Sequence, residues 1–185
     1  MKRLEKKVSA VLVAAGSSTR MGFDKLSFDL GGETVLHRSI RAFAQCPLVD
    51  EIILVAGSNR AFAQQQAADC AKPVCVVAGG ATRAESAKNG VLAASGALVA
   101  VHDAARPFVS QQVITAALEA AARCGAAAPA VPVKDTIKSV GQGNTVTQTL
   151  DRSILRAVQT PQVFDGALLK AALQNALEHQ LPITD

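Results

Sequence analysis

The chain has 185 residues, 49% hydrophobic and 18% charged, with a net charge of +4 and four cysteines. That length suits a single domain over residues 1–185, and its apolar runs are too short to span a bilayer. The lack of Trp and Tyr, with six scattered Phe, removes the aromatic platform on which nucleic-acid bases stack, so neither a nucleic acid nor a membrane is an expected partner.

In chain order, Lys2, Arg3, Lys6 and Lys7 oppose only Glu5, which places most of the net charge in a solvated end. No long apolar region or cleavage site follows as in a signal peptide, so the expected location is cytoplasmic. Residues 8–13 are short and β-branched and read as a buried strand. Ala14, Ala15, Gly16, Ser17 and Ser18 then have little side-chain bulk, and Arg20 and Lys25 add positive charge. A polyanion could approach the backbone N–H groups of such a loop closely. The spacing is neither that of a P-loop nor that of a Rossmann fingerprint, and a plain strand-to-loop turn is the other reading.

Further strands are predicted at 51–56, 73–77, 97–102 and 127–133, and helices at 34–45, 59–70, 82–94, 110–124 and 166–179. Thr82 and Ser110 are candidate N-caps, and Gly125 ends the fourth helix. This alternation predicts an α/β layered domain with a mostly parallel sheet, whose ligands bind beyond the carboxyl ends of the strands. Residues 136–150 break the alternation with two β-rich runs around Gly141-Gln142-Gly143-Asn144, a hairpin that needs something to pack on, such as a partner subunit.

Two more strand-ending loops are polar. Gly79 and Gly80 precede a helix start with Thr82, Arg83, Glu85 and Ser86, so free N–H groups and the positive dipole end are expected there, unless the glycines only make a turn. His102-Asp103-Ala104-Ala105-Arg106-Pro107 ends an apolar strand with an acid and a base, costly to bury unless paired or used. Asp103 suits a divalent metal shared with phosphate oxygens, or else an ion pair with Arg106. His102 reads as a packed or orienting imidazole. Cys46, Cys70, Cys75 and Cys124 lack zinc-site spacing and read as buried free thiols in a reducing compartment.

In order, the chain carries Ala14-Ala15-Gly16-x-x-x-Arg20-Met21-Gly22-x-x-Lys25, Gly79-Gly80-x-x-Arg83-x-x-Ser86, His102-Asp103-Ala104-Ala105-Arg106-Pro107, Asp135-Thr136-x-Lys138 and Asp151-Arg152-x-x-Leu155-x-x-x-Gln159-Thr160-Pro161-Gln162-x-Phe164. This series resembles the 2-C-methyl-D-erythritol 4-phosphate cytidylyltransferase family, which uses CTP in non-mevalonate isoprenoid synthesis. The resemblance implies a Rossmann-like, mostly parallel sheet of the nucleotide-diphospho-sugar transferase type, with a protruding β-hairpin arm at about 135–158.

It also implies that Arg20 and Lys25 stabilise the transition state, and that Ala14, Ala15, Gly16, Gly79, Gly80 and Ser86 hold the nucleotide. Asp103 would carry Mg²⁺, and Asp103, Ala104, Arg106, Thr136 and Arg152 would meet the polyol phosphate. The arm would cross a homodimer, so that Thr136 and the catalytic Arg152 serve the neighbour's site. Ala81 stands where relatives can carry an acidic or polar residue, leaving cytosine recognition to backbone groups and Ser86. Relatives continue beyond a Thr-Asp pair like Thr184-Asp185 into a further helix, a strand and a Lys-bearing segment, so C-terminal elements of the family are expected to be missing after residue 185. Ribitol 5-phosphate cytidylyltransferases, molybdopterin nucleotidyltransferases and a non-catalytic CTP-binding fragment are the alternatives.

Overall fold

The computed structural model describes residues 4–16, 24–179 and 181. Strand β1 (Val8–Ala14) lies at the centre of the main sheet, with β2 (Glu51–Ala56) and β3 (Val74–Ala78) on one side and β4 (Leu98–Asp103) on the other, all parallel. Period-2 alternation sends Val8, Ala10, Leu12 and Ala14 to one face and Val11 and Val13 to the other. Burial on both faces explains the nearly unbroken apolar run of β1.

Helices α1 (Val35–Ala44), α2 (Arg60–Gln66) and α4 (Gln111–Cys124) lie on the first face. In α1 the buried residues Leu36, Ile40 and Phe43 recur at helical spacing, and the Thr34 hydroxyl caps the first turn. Helices α3 (Arg83–Ala93) and α5 (Gly166–Glu178) cover the second face. Helix α3 sits very close to the sheet at Gly90, where an added Cβ would lie 2.4 Å from Val11 Cγ1 and 2.6 Å from Val55 Cγ2. Helix α4 ends at Gly125, whose φ of 84° is left-handed, and Ser110 and Thr82 are N-caps as expected.

Two features depart from the expectation. The run 127–133 is not one strand: it divides into β5 (Ala126–Ala127) and β6 (Ala130–Pro132). Pro129 and Pro132 have no N–H to give to a continuous ladder. After the hairpin of β7 (Lys138–Val140) and β8 (Val146–Thr149), the chain returns through β9 (Arg156–Val158) and β10 (Gln162–Asp165). Strand β9 pairs with β6, and β10 inserts antiparallel between β4 and β5, giving the order β3-β2-β1-β4-β10-β5. The arm is exposed along its length.

All four cysteines are free, as expected, but only Cys46 is buried. Cys75 is exposed on the edge strand β3, and Cys124 is exposed at the last position of α4. No helix among the described residues is long and apolar enough to cross a membrane.

Candidate active site

A cleft of about 760 Å³ opens beyond the carboxyl ends of β1, β3 and β4. It spans the switch point of the sheet, where the chain runs from β1 to β2 on one side and β4 lies on the other. Ala14, Ala15, Gly16, Lys25, Gly80, Ser86, Asp103 and Arg106 all line it, as the sequence leads one to expect. Arg20 lies outside the described residues.

The floor is fixed by backbone contacts. Asn59 donates from Nδ2 to the Ala14 carbonyl at 3.2 Å and accepts from the Gly57 N–H at 3.0 Å, tying the end of β1 to the loop after β2. Gly79 lies behind the wall: a Cβ there would stand 2.3 Å from the Ala15 Cβ. Only glycine lets the loops after β1 and β3 approach this closely. Lys25 opens a 3₁₀ turn, Lys25–Ser27, which is anchored by buried Leu26 and capped by the Asp24 carboxylate at 3.0 Å from the Leu26 nitrogen.

The loop before α3 differs from expectation, because its donors are already used. Gly80 N–H donates to Ser86 Oγ at 3.0 Å, and Ala81 N–H donates to Glu85 Oε2 at 2.7 Å. Thr82 and Glu85 complete a capping box. The Ser86 hydroxyl donates to the Thr82 carbonyl at 2.9 Å, so Ser86 shapes the loop. With the Glu85 carboxylate at its mouth, this wall suits an uncharged heterocycle better than an anion.

At the end of β4, Asp103 joins two guanidinium groups. Arg83 donates to its Oδ1 from Nε at 3.1 Å and Nη2 at 2.9 Å, and Arg106 donates to Oδ2 from Nε at 3.2 Å. The pair with Arg106 left open by the sequence is therefore formed. Arg83, given no role in advance, adds a second. Arg106 also reaches Gln159 Oε1 at 2.5 Å. Lys25, Arg83 and Arg106 against Asp103 leave the lining of the cleft net positive.

Behind this rim His102 is fully buried. Its Nε2 is 3.1 Å from the Arg106 carbonyl, an acceptor, so Nε2 carries the proton and Nδ1 accepts from Thr160 Oγ1 at 2.8 Å. Burial lowers its pKa from 6.5 to about 4, against the raising effect of the bond to Arg106. His102 is thus a neutral imidazole, both packed and orienting, the two forms in which the sequence reads it.

Ala104, expected to meet substrate, is fully buried, and Ala105 faces the cleft instead. The Ala104 N–H donates to the Val13 carbonyl at 3.1 Å and its carbonyl accepts from Ser39 Oγ at 2.7 Å, so it braces the loop. Thr136 and Arg152 belong to the arm and do not line this cleft. Arg152 donates from Nη1 to the Lys134 carbonyl at 2.7 Å. The described residues hold no cluster of three or more His, Cys, Asp or Glu side chains suited to a metal. A lone cleft carboxylate nevertheless fits Mg²⁺, which takes one or two carboxylates and completes its shell with phosphate oxygens and water.

Fold and cleft together define an α/β protein of the nucleotidyltransferase-like type, and the comparisons narrow this. The sequence profile of the family described as "IspD: 2-C-methyl-D-erythritol 4-phosphate cytidylyltransferase" matches residues 8–185, and the chain belongs to that family. It is 44% identical to the 2-C-methyl-D-erythritol 4-phosphate cytidylyltransferase of Symbiobacterium thermophilum, over 94% of this chain and 75% of that one. It is 43% identical to a bifunctional IspD/IspF enzyme of an Anaeromyxobacter species, over 98% of this chain but 48% of the relative, so it spans about half of that protein's length. The crystal structure of 4-diphosphocytidyl-2C-methyl-D-erythritol synthase from Anaerococcus prevotii superposes with a TM-score of 0.88 at 30% identity, over 97% of this chain and 79% of that one.

Proposed function

We propose that this chain transfers the cytidylyl group of CTP to 2-C-methyl-D-erythritol 4-phosphate, giving 4-diphosphocytidyl-2-C-methyl-D-erythritol and pyrophosphate. The observation that carries the reading is the net positive cleft at the sheet's switch point, lined by Lys25, Asp103 and Arg106 in a chain of this family.

The acceptor's phosphate oxygen attacks the α-phosphorus of CTP, the α–β bridge breaks, and pyrophosphate leaves with the electron pair. The nucleophile is already an anion, so no strong base is required, and catalysis consists of positioning and charge neutralisation. Lys25, held on its anchored turn, faces the triphosphate together with the small-residue floor Ala14, Ala15 and Gly16, and Arg20 joins it as a second stabilising cation. The cytosine ring goes to the wall of Gly80 and Ser86, backed by Gly79, whose internally bonded loop fits a base. Asp103 would hold Mg²⁺, which neutralises triphosphate charge when bound. Arg106, braced by Gln159 and His102, takes the acceptor's phosphate.

The arm supports a homodimer. Its two narrow ribbons bury almost nothing, and Val131, Val140, Val146, Ile154 and Val158 are exposed on it. Two-stranded ribbons are marginal alone. A second copy of the chain covers these side chains and receives Thr136 and Arg152 at its own cleft.

The test is Mg²⁺-dependent pyrophosphate release from CTP by this 185-residue chain, with 2-C-methyl-D-erythritol 4-phosphate or ribitol 5-phosphate as acceptor. Release with the erythritol phosphate alone is expected. Release with ribitol phosphate alone would reassign the acceptor. Silence with both, while CTP still binds, would make the chain a nucleotide-binding protein.

A further inference from the structure

Arg106 is gripped at both ends by two consecutive residues of one segment. Its Nη1 donates to Gln159 Oε1 at 2.5 Å, and its carbonyl accepts from His102, whose other ring nitrogen accepts from Thr160 Oγ1 at 2.8 Å. That segment is the foot of the arm. Gln159 directly follows β9, and its N–H donates to the Pro129 carbonyl at 2.8 Å, which carries the pairing of β6 with β9 one step further before the chain enters β10.

Two acceptors set the direction of the guanidinium. Asp103 Oδ2 takes Nε at 3.2 Å and Gln159 takes Nη1, so that the group is fixed at two of its three nitrogens. Arg106 lines the cleft and its side chain is 46% exposed, so without Gln159 only the contact to a residue three positions back would restrain it. An exposed arginine has much rotamer freedom to lose when a ligand binds, and one already held loses less. The second acceptor is also neutral. A carboxylate at position 159 would make the same bond, but beside Asp103 it would draw on the positive charge that Arg106 has for a phosphate. An amide carbonyl aims the guanidinium and leaves that charge available.

We infer that Gln159 is a positioning residue for the acceptor's phosphate: its neutral carbonyl, placed by the ladder at the foot of the arm, aims Arg106 before the acceptor arrives. This rests on the reading of Arg106 as the group that takes that phosphate. The acceptor end of the cleft is then built on the root of the chain's own arm, whereas the nucleotide end is built on the loops after β1 and β3.

The experiment follows steady-state pyrophosphate release by the full chain, varying the polyol phosphate that supports it, and measures CTP binding by calorimetry. Gln159→Met keeps the length of the side chain but loses the acceptor oxygen. Its KM for the polyol phosphate should rise about fivefold or more, with kcat and CTP affinity within about twofold of wild type, because the contact serves ground state and transition state alike. In an Arg106→Lys background, which has no Nη1, the same change should add almost nothing. A role confined to the fold of the arm's foot would add the same loss in both backgrounds. That result, or an unchanged KM in Gln159→Met, overturns the inference. Should Gln159→Met not fold, Gln159→Glu decides, because it keeps the shape and the bond but adds a charge. Its KM relative to wild type should rise, and more at low salt than at high salt; a KM equal to that of wild type at both overturns the inference. An active wild type beside unaltered variants overturns this inference alone. Wild type that releases no pyrophosphate with either polyol phosphate overturns the proposed function with it.

Discussion

Thr160 Oγ1 lies 2.8 Å from His102 Nδ1 in the protein interior, and this bond joins the segment entering β10 to the end of β4. Through its other nitrogen the same imidazole holds the Arg106 carbonyl, so the cleft's rim is positioned from within. His102→Phe keeps a ring of similar size beside Phe43, whose centroid is 4.9 Å away, but leaves the Thr160 hydroxyl and the Arg106 carbonyl unpaired. A loss of about 2–3 kcal/mol is expected in urea unfolding. The KM for the acceptor should rise while CTP affinity is nearly unchanged, and an unchanged acceptor KM would remove His102 from the positioning of Arg106.

Acid should destabilise the fold in two stages. Burial holds His102 at about 4 rather than 6.5, so between these values the unfolded chain binds a proton that the native state refuses. Stability from this group is full above 6.5 and declines as pH falls toward 4, by up to about 3 kcal/mol. Glu51 follows: burial pushes its pKa up, but hydrogen bonds from Ser9, Lys7 and Ser95 outweigh this and draw it from 4.5 to about 2. Its contribution is present above 4.5 and is lost as pH falls through 2. Unfolding midpoints measured from pH 7 to 2 test both stages, and the first should vanish in His102→Phe.

Gly79→Ala should force apart the loops after β1 and β3, because the new Cβ would stand 2.3 Å from the Ala15 Cβ. A cost of about 1–3 kcal/mol in stability, with weaker CTP binding, is expected. Ala15→Gly in the same chain removes the opposing atom and should restore most of both. Failure of the double variant to recover would place the strain elsewhere.

Asp103→Asn keeps the shape but not the charge of the group between Arg83 and Arg106. Both arginines are partly exposed, so thermal stability should change by less than about 1 kcal/mol. Under the proposed role of Asp103 as the carboxylate that holds Mg²⁺, Mg²⁺-dependent pyrophosphate release should fall by about 100-fold or more. Activity near that of wild type would exclude Asp103 as the metal's ligand.

What the sequence made legible was local. Caps at Thr82 and Ser110, the helix stop at Gly125 and the buried strand at β1 depend on residues a few positions apart, and each is found as read. The antiparallel β10 was not legible, because its four residues are specified by pairing with Leu98 to Val101, far back in the chain. The same distance hid the ion pair of Arg83, which opens α3 and whose carboxylate partner lies 20 residues away at the end of β4. Ala104 was misplaced by one position: a motif gives the order of residues around a bend, but not which of two adjacent alanines turns inward. The exposure of Cys75 follows from β3 lying at the sheet edge, which composition does not reveal.

The pairing of Ala130 with Val158, beside that of Ala127 with Val163, makes the excursion between β6 and β9 a detour that begins and ends on neighbouring strands, about 5 Å apart. The chain between them can thus be shortened or exchanged without asking any strand of the main sheet to move. Replacing residues 131–157 with a two-residue turn should leave a folded monomer with an intact cleft, as sedimentation and CTP binding would report. In effect the architecture is modular: a main sheet that closes on its own cleft, and a cassette that can be exchanged without disturbing it.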